Sequence, residues 1–157
     1  AHCSDGDQQA IDRYVRCLEL ADSLGHMAMS GTCLLHLSLL APDDEPALAV
    51  RLAAGAIRRY DRQTATELGM GLIVMARALL LAERPEEAAM LVAGARARLP
   101  WYFSIPRGAN RTAPIEAAIQ QALGKRYAGA AAAGEATDVR ELIALSQRLA
   151  TELAPPT

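Results

Sequence analysis

Three histidines and three cysteines are the residues here best suited to metal binding or nucleophilic chemistry. His2, His26 and His36 have no histidine partner at i+4 and no HExxH setting, so the helical spacing that zinc ligands need is absent. His36 stands among Leu34, Leu35 and Leu37, where a packed or hydrogen-bonded imidazole is the favoured role. Cys3, Cys17 and Cys33 are odd in number and lack CxxC spacing, which fits neither a disulfide framework nor a zinc site. Cys17 and Cys33 fall on helical faces that read as buried, where cysteine behaves as a small hydrophobe. A nucleophile would need a base and an electropositive setting, and the sequence offers neither. The acids Asp43, Asp44, Glu45 and Glu83, Glu86, Glu87 could be read as general acid–base pairs, but each group precedes a predicted helix, where the dipole accounts for it. The expectation is a non-enzyme with no catalytic, cofactor or metal residues.

Two further groups could serve binding. Arg58, Arg59 and Arg62 flank Tyr60 at the end of a predicted helix, where cations are favoured locally and where a phosphate or nucleic-acid patch is the competing reading. Trp101, Tyr102 and Phe103 are three of the six aromatic residues and stand in a row. Three consecutive aromatics do not all point inward easily. The simplest reading is a loop folded over a groove, and the sharper one is a partner contact, since Trp and Tyr are common interface anchors. Trp101, Tyr102, Phe103 and Arg107 are the candidate partner-binding residues, with Arg107 and Arg111 as a polar rim.

The elements that must position these residues are helices. The 157 residues include 33 alanines and 22 leucines, while aromatics are 4%. Strand-favouring residues are scarce, so the composition predicts an all-α domain. Sixteen basic residues face eighteen acidic ones, for a net charge of -2. The basic excess usual in nucleic-acid binders is missing, and direct nucleic-acid binding is not expected. Apolar runs such as 75–82 fall far short of a membrane span. Few cysteines and no leader suggest a cytoplasmic protein. The chain starts without Met and ends Ala154-Pro155-Pro156-Thr157, so it reads as one domain cut from a longer protein, with 1–6 and 154–157 as linker or frayed ends.

About eight helices are predicted. The first spans about 7–21, with Ile11, Tyr14, Val15, Leu18 and Ala21 on one face and Gly25 as its left-handed stop. The second spans about 26–40, apolar nearly all round, and the third about 46–62. A capping box at Thr64–Glu67 opens the fourth, to about 81, and Pro85 starts the fifth, to about 98. Residues 99–112 read as irregular. A sixth helix follows Thr112, with Pro114 in its first turn, and ends near Gly124. A short alanine-rich helix covers about 125–133, and a capping box at Asp138–Glu141 opens the last, to about 153. Short connections make neighbouring helices antiparallel.

Ala10, Tyr14 and Cys17 place small, aromatic and small residues at spacings of four and three, and Ala88, Val92 and Ala95 repeat that spacing. The pattern resembles the second helix of a tetratricopeptide repeat, in which small residues let helices approach closely. The two matches begin 78 residues apart (88 minus 10), about two periods of ~34 to 40 residues. The fold expected is therefore a right-handed superhelix of antiparallel, tetratricopeptide-like helix pairs with an atypical C-terminal cap. Arg77–Ala89, Leu91–Ala95 and Arg126–Ala136 also resemble stretches in the C-terminal helical region of large LuxR-type, ATPase-containing bacterial regulators of the actinobacterial type. Leu37-Ser38 replaces the Leu-Gly usual there, and Trp101-Tyr102-Phe103 lies outside that pattern.

The resemblance implies a non-catalytic sensor or protein-interaction domain. It would take a protein, peptide or small effector in its concave groove and relay binding to ATPase and DNA-binding domains of the same chain. These 157 residues hold neither a phosphate-binding Gly-rich loop nor a basic helix-turn-helix. The alternative is a free-standing scaffold or adaptor for a protein or peptide, which a basic clamp in the groove would favour. A homodimer is compatible with either reading.

Overall fold

The structure is a computed structural model that describes residues 5–60 and 65–154. Every regular element among the described residues is helical: α1 (Asp5–Ser23), α2 (Met27–Leu40), α3 (Pro46–Tyr60), α4 (Ala65–Leu81), α5 (Pro85–Arg98), α6 (Pro100–Ser104), α7 (Pro106–Leu123), a 3-10 turn (Gly124–Arg126), α8 (Tyr127–Ala136) and α9 (Val139–Glu152). The single-turn α6 accounts for one helix more than the sequence predicts. No helix among the described residues is long and apolar enough to cross a membrane.

Each boundary has a local cause. Proline stands first in α3, α5, α6 and α7, where its missing N–H costs nothing. His26 caps α2 by accepting the Met29 N–H at its Nδ1, 3.3 Å away. The predicted capping box of α9 forms, with Asp138 accepting from the Glu141 N–H at 2.9 Å and Glu141 from the Asp138 N–H at 3.3 Å. The Thr64 capping box lies outside the described residues.

Two helices end in the same motif with different residues. At α1, the His26 N–H reaches the Ala21 carbonyl at 2.8 Å across Gly25, whose φ is +67°. At α4, the Arg84 N–H reaches the Leu79 carbonyl at 2.8 Å across Glu83, whose φ is +58°. A glutamate in the left-handed region costs about 1 kcal/mol. Glu83→Gly is therefore expected to stabilise the fold by about 0.5–1 kcal/mol, less the chain entropy glycine adds to the unfolded state. Thermal unfolding that fell by several degrees in this variant would contradict that account.

Consecutive helices from α1 to α5 pack side by side, and α5 then packs on α8. Pairings run opposite ways along neighbouring helices, as antiparallel packing requires. Tyr14 meets His36 and Asp22 meets Ser30 across α1 and α2, while Ser38 meets Ala49 and Thr32 meets Tyr60 across α2 and α3. The core centres on α3, α4 and α5, with Ala53, Ile57, Leu72, Ile73, Leu79 and Leu91 fully buried. Ser30, Ser38, Thr112 and Ser146 are buried too, and every hydroxyl has a partner.

The last helix departs from nearest-neighbour stacking. α9 lies across both α3 and α5. Gln147 donates to the Ala54 carbonyl at 3.0 Å and accepts from Arg58 at 2.6 Å, a link over some ninety residues. Leu142 and Leu149 seal this contact. The C-terminal helix thus closes the stack over one face of α3 and α5.

Candidate functional site

The stretch expected to be irregular, 99–112, is helical. Pro100 opens α6, Pro106 opens α7, and the extended Ile105 between them (φ -89°, ψ 142°) makes the corner. Both prolines act as helix starters. Pro114, expected in a first turn, sits inside α7, where it removes one ladder hydrogen bond.

The single turn of α6 sends its three aromatics to different places. Trp101 is 66% exposed, Tyr102 only 2%, and Phe103 is half-buried. The Tyr102 and Phe103 rings meet edge to face at 5.3 Å. The Arg96 guanidinium lies 5.3 Å from the Phe103 ring centre and grips Glu116 through two bonds of 2.9 and 2.6 Å. Tyr127 donates to the same carboxylate at 2.8 Å. Phe103 is thus engaged inside the protein, and Tyr102 has spent its ring on the core. Trp101 and Arg107 are the two exposed members of the group assigned to partner binding.

The buried Tyr102 hydroxyl has no hydrogen-bond partner. Such a group costs free energy until something satisfies it. Arg107 and Arg111 stand one turn apart on the same side of α7. Arg111 is half-buried, and its Nη1 is also buried without a partner. No ion pair forms to either arginine among the described residues. The first turn of α7 holds no acid either, so its positive dipole end is uncompensated. Burial holds the Tyr102 phenol above its usual range, with the two arginines pulling the other way.

His36 is half-buried on α2. It stacks on Tyr14 with ring centres 4.7 Å apart and planes within 6°. Burial, then Arg111 and Arg107, hold its imidazole below the usual histidine range. Tyr14 in turn lines a cavity of about 400 Å³ along α1, with Gly6, Gln9, Ala10, Arg13 and Cys17. The Tyr14–His36 stack thus borders this cavity through Tyr14, while the unpartnered Tyr102 hydroxyl and Arg111 Nη1 are buried on α6 and α7.

Other sequence candidates fall elsewhere. Cys17 and Cys33 adjoin across α1 and α2, and burial, reinforced by Cys17, pushes the Cys33 thiol up to about 11. A thiol so raised is a weak nucleophile at neutral pH. Tyr60 is core, while Arg58 bonds Gln147 and Arg59 pairs with Asp22 at 3.3 Å. Arg62 lies outside the described residues. Glu86 pairs with Arg126 at 2.6 Å and Glu87 with Arg84, so these two acids of the first turn of α5 are neutralised locally. Among the described residues, no group of three His, Cys, Asp or Glu could hold a metal ion.

Sequence reasoning noticed Arg107 and Arg111 only as a rim for Trp101. Their influence on the His36 imidazole joins positions some seventy residues apart, and no local spacing signals it. Comparison with protein-family models, curated proteins and solved structures finds no match for this chain.

Proposed function

We propose that this domain is the non-catalytic sensor and protein-interaction module of a bacterial transcriptional regulator. Its helices form a right-handed, tetratricopeptide-like stack. Ligand or partner binding on the α1–α2–α7 face biases the arrangement of ATPase and DNA-binding domains in the same cytoplasmic chain. The observation that carries this reading is a pair of buried donors without partners on α6 and α7, the Tyr102 hydroxyl and Arg111 Nη1. Buried polar groups left without partners are rare in a finished core and frequent where a ligand completes the bonding. The C-terminal helix supports relay. Because α9 spans α3 and α5, a shift between those helices moves the end from which a following domain would hang. Coupling of this kind requires the ligand to bind one arrangement better than the other.

The second reading, a free-standing adaptor for a protein or peptide, is favoured by the same pair of donors, with exposed Trp101 as a partner anchor. The reading frame on both sides of this stretch separates the two. The regulator reading expects a Gly-rich phosphate loop followed by Lys-Ser/Thr upstream and a basic helix-turn-helix downstream. A frame without either overturns it and leaves the adaptor.

A further inference from the structure

We infer that Cys17 of α1 and Cys33 of α2 form a reversible oxidation site: a hydroperoxide oxidises the Cys17 thiol, and Cys33 resolves it to a Cys17–Cys33 disulfide that pins α1 to α2. The inference stands apart from the regulator reading.

The register of the two helices places the pair. α1 and α2 run antiparallel around the tight turn at Gly25, and one contact on each side of the cysteines fixes which residues oppose each other. On one side Tyr14 stacks on His36, with ring centres 4.7 Å apart. On the other, Ser30 donates to Asp22 at 2.6 Å. Cys17 lies three residues after Tyr14 and Cys33 three residues before His36, so each falls one turn along from the stack on the same helix face. Cys33 is also one turn after Ser30, on the stripe of α2 that meets α1. Both thiols are free, and they differ in access. Cys17 is half-buried and lines the cavity of about 400 Å³ beside Tyr14 and Arg13, whereas Cys33 is 1% exposed.

That difference assigns the roles. The cavity admits a small oxidant to Cys17. The Cys17 sulfur attacks one peroxide oxygen: an S–O bond forms, the O–O bond breaks, and the departing hydroxide takes up the thiol proton as water. Cys17 is then a sulfenic acid, oxidised by two electrons. The Cys33 sulfur attacks it: the S–S bond forms, the S–O bond breaks, and the second hydroxide leaves with the Cys33 proton as water. Two thiols and one hydrogen peroxide give one disulfide and two waters. Burial pushes the Cys33 thiol up to about 11, which makes the second step the slower. The bond has a structural effect as well. Among the described residues of α1 only Ala21 is buried, so packing holds this helix lightly and a covalent anchor restrains it.

The 157-residue chain would be treated with hydrogen peroxide and cleaved beside Asp22, which separates the two cysteines. The two pieces are expected to stay joined until dithiothreitol is added, as mass spectrometry reads directly. In a Cys3→Ser chain, which lacks the third thiol, the intact mass should fall by about 2 Da. Cys33→Ala is expected to leave a sulfenic acid on Cys17 that dimedone traps, and Cys17→Ala to slow oxidation of Cys33 at least about tenfold. Both variants are checked for folding by circular dichroism, and the linkage map of the unaltered chain does not depend on them. Amide hydrogen exchange across α1 should slow at least about tenfold in the disulfide form and recover on reduction. Linkage of Cys17 to Cys3 or to a second chain in place of Cys33, oxidation of Cys17 to sulfinic acid with Cys33 left free, undiminished oxidation of Cys33 in Cys17→Ala, or unchanged exchange in α1 would each overturn the proposal.

Discussion

Gly134→Ala is expected to destabilise the fold by about 3 kcal/mol, the upper part of the range for inserting a methyl into a packed contact. The crossing of α5 and α8 leaves no room there. A Cβ on Gly134 would meet the Met90 carbonyl oxygen and lie 2.7 Å from the Met90 Cα. These are backbone atoms of the facing helix, so no side-chain rotation relieves the clash. The crossing is tight from the other side as well, for a Cβ on Gly94 would come 2.8 Å from the Gly134 carbonyl oxygen and 2.8 Å from the Leu142 methyls. α8 would have to lift off α5, and Leu142 of α9 would move with it. At about 2–4 °C per kcal/mol for a domain of this size, the melting temperature should drop by about 10 °C. Gly129 provides the control on the same helix. Nothing lies within 4 Å of a Cβ built there, so Gly129→Ala should stabilise by about 0.5–1 kcal/mol through helix propensity. If both alanines act alike in thermal unfolding, the close crossing is not what holds α8.

That crossing was half legible in the sequence. Ala88, Val92 and Ala95 read as a repeat helix whose small residues let a neighbour approach closely. Which glycine met which helix was not legible. The same limit recurs in the site. Helix ends with a cap of their own, such as Gly25 and Asp138, could be placed to within a residue or two, since each cap is a local hydrogen-bond solution. Residues 99–112 misled for a physical reason. Two prolines close together look like a break, yet each occupies the first position of a new helix, where proline is at home. Once α6 and α7 exist, Tyr102 turns inward and Arg107 and Arg111 share a face. Their influence on His36 depends on how α7 packs, and no residue spacing encodes that.

Tyr60→Ala should cost about 4 kcal/mol, in the range for removing a buried aromatic ring, whereas Tyr60→Phe should cost about 1 kcal/mol. The sequence placed Tyr60 in a basic cluster, but the structure makes it a joint between three helices. Its ring fills the notch at Gly31 of α2, where a Cβ would sit 2.7 Å from the ring, and lies near Gly71 of α4. Its hydroxyl bonds Thr32 Oγ1 at 3.1 Å. Alanine would empty that notch on both sides, and two glycines cannot reach in to close it. Phenylalanine keeps the ring and loses one hydrogen bond. Burial above all holds this phenol above its usual range, although the Thr32 hydroxyl opposes the shift. Because the folded-state value is raised, the stability gained by keeping the phenol neutral is complete below about pH 10 and is lost as pH rises through the folded value. Tyr60→Phe should therefore trade a small loss at pH 7 for slower loss in alkali, and urea titrations at pH 7 and above pH 10 measure both. Equal losses for the two substitutions at pH 7 would mean that the hydroxyl, not the ring, joins α2, α3 and α4. α1 and α2 could then no longer be regarded as held in place for the Tyr14–His36 stack by packing at this joint.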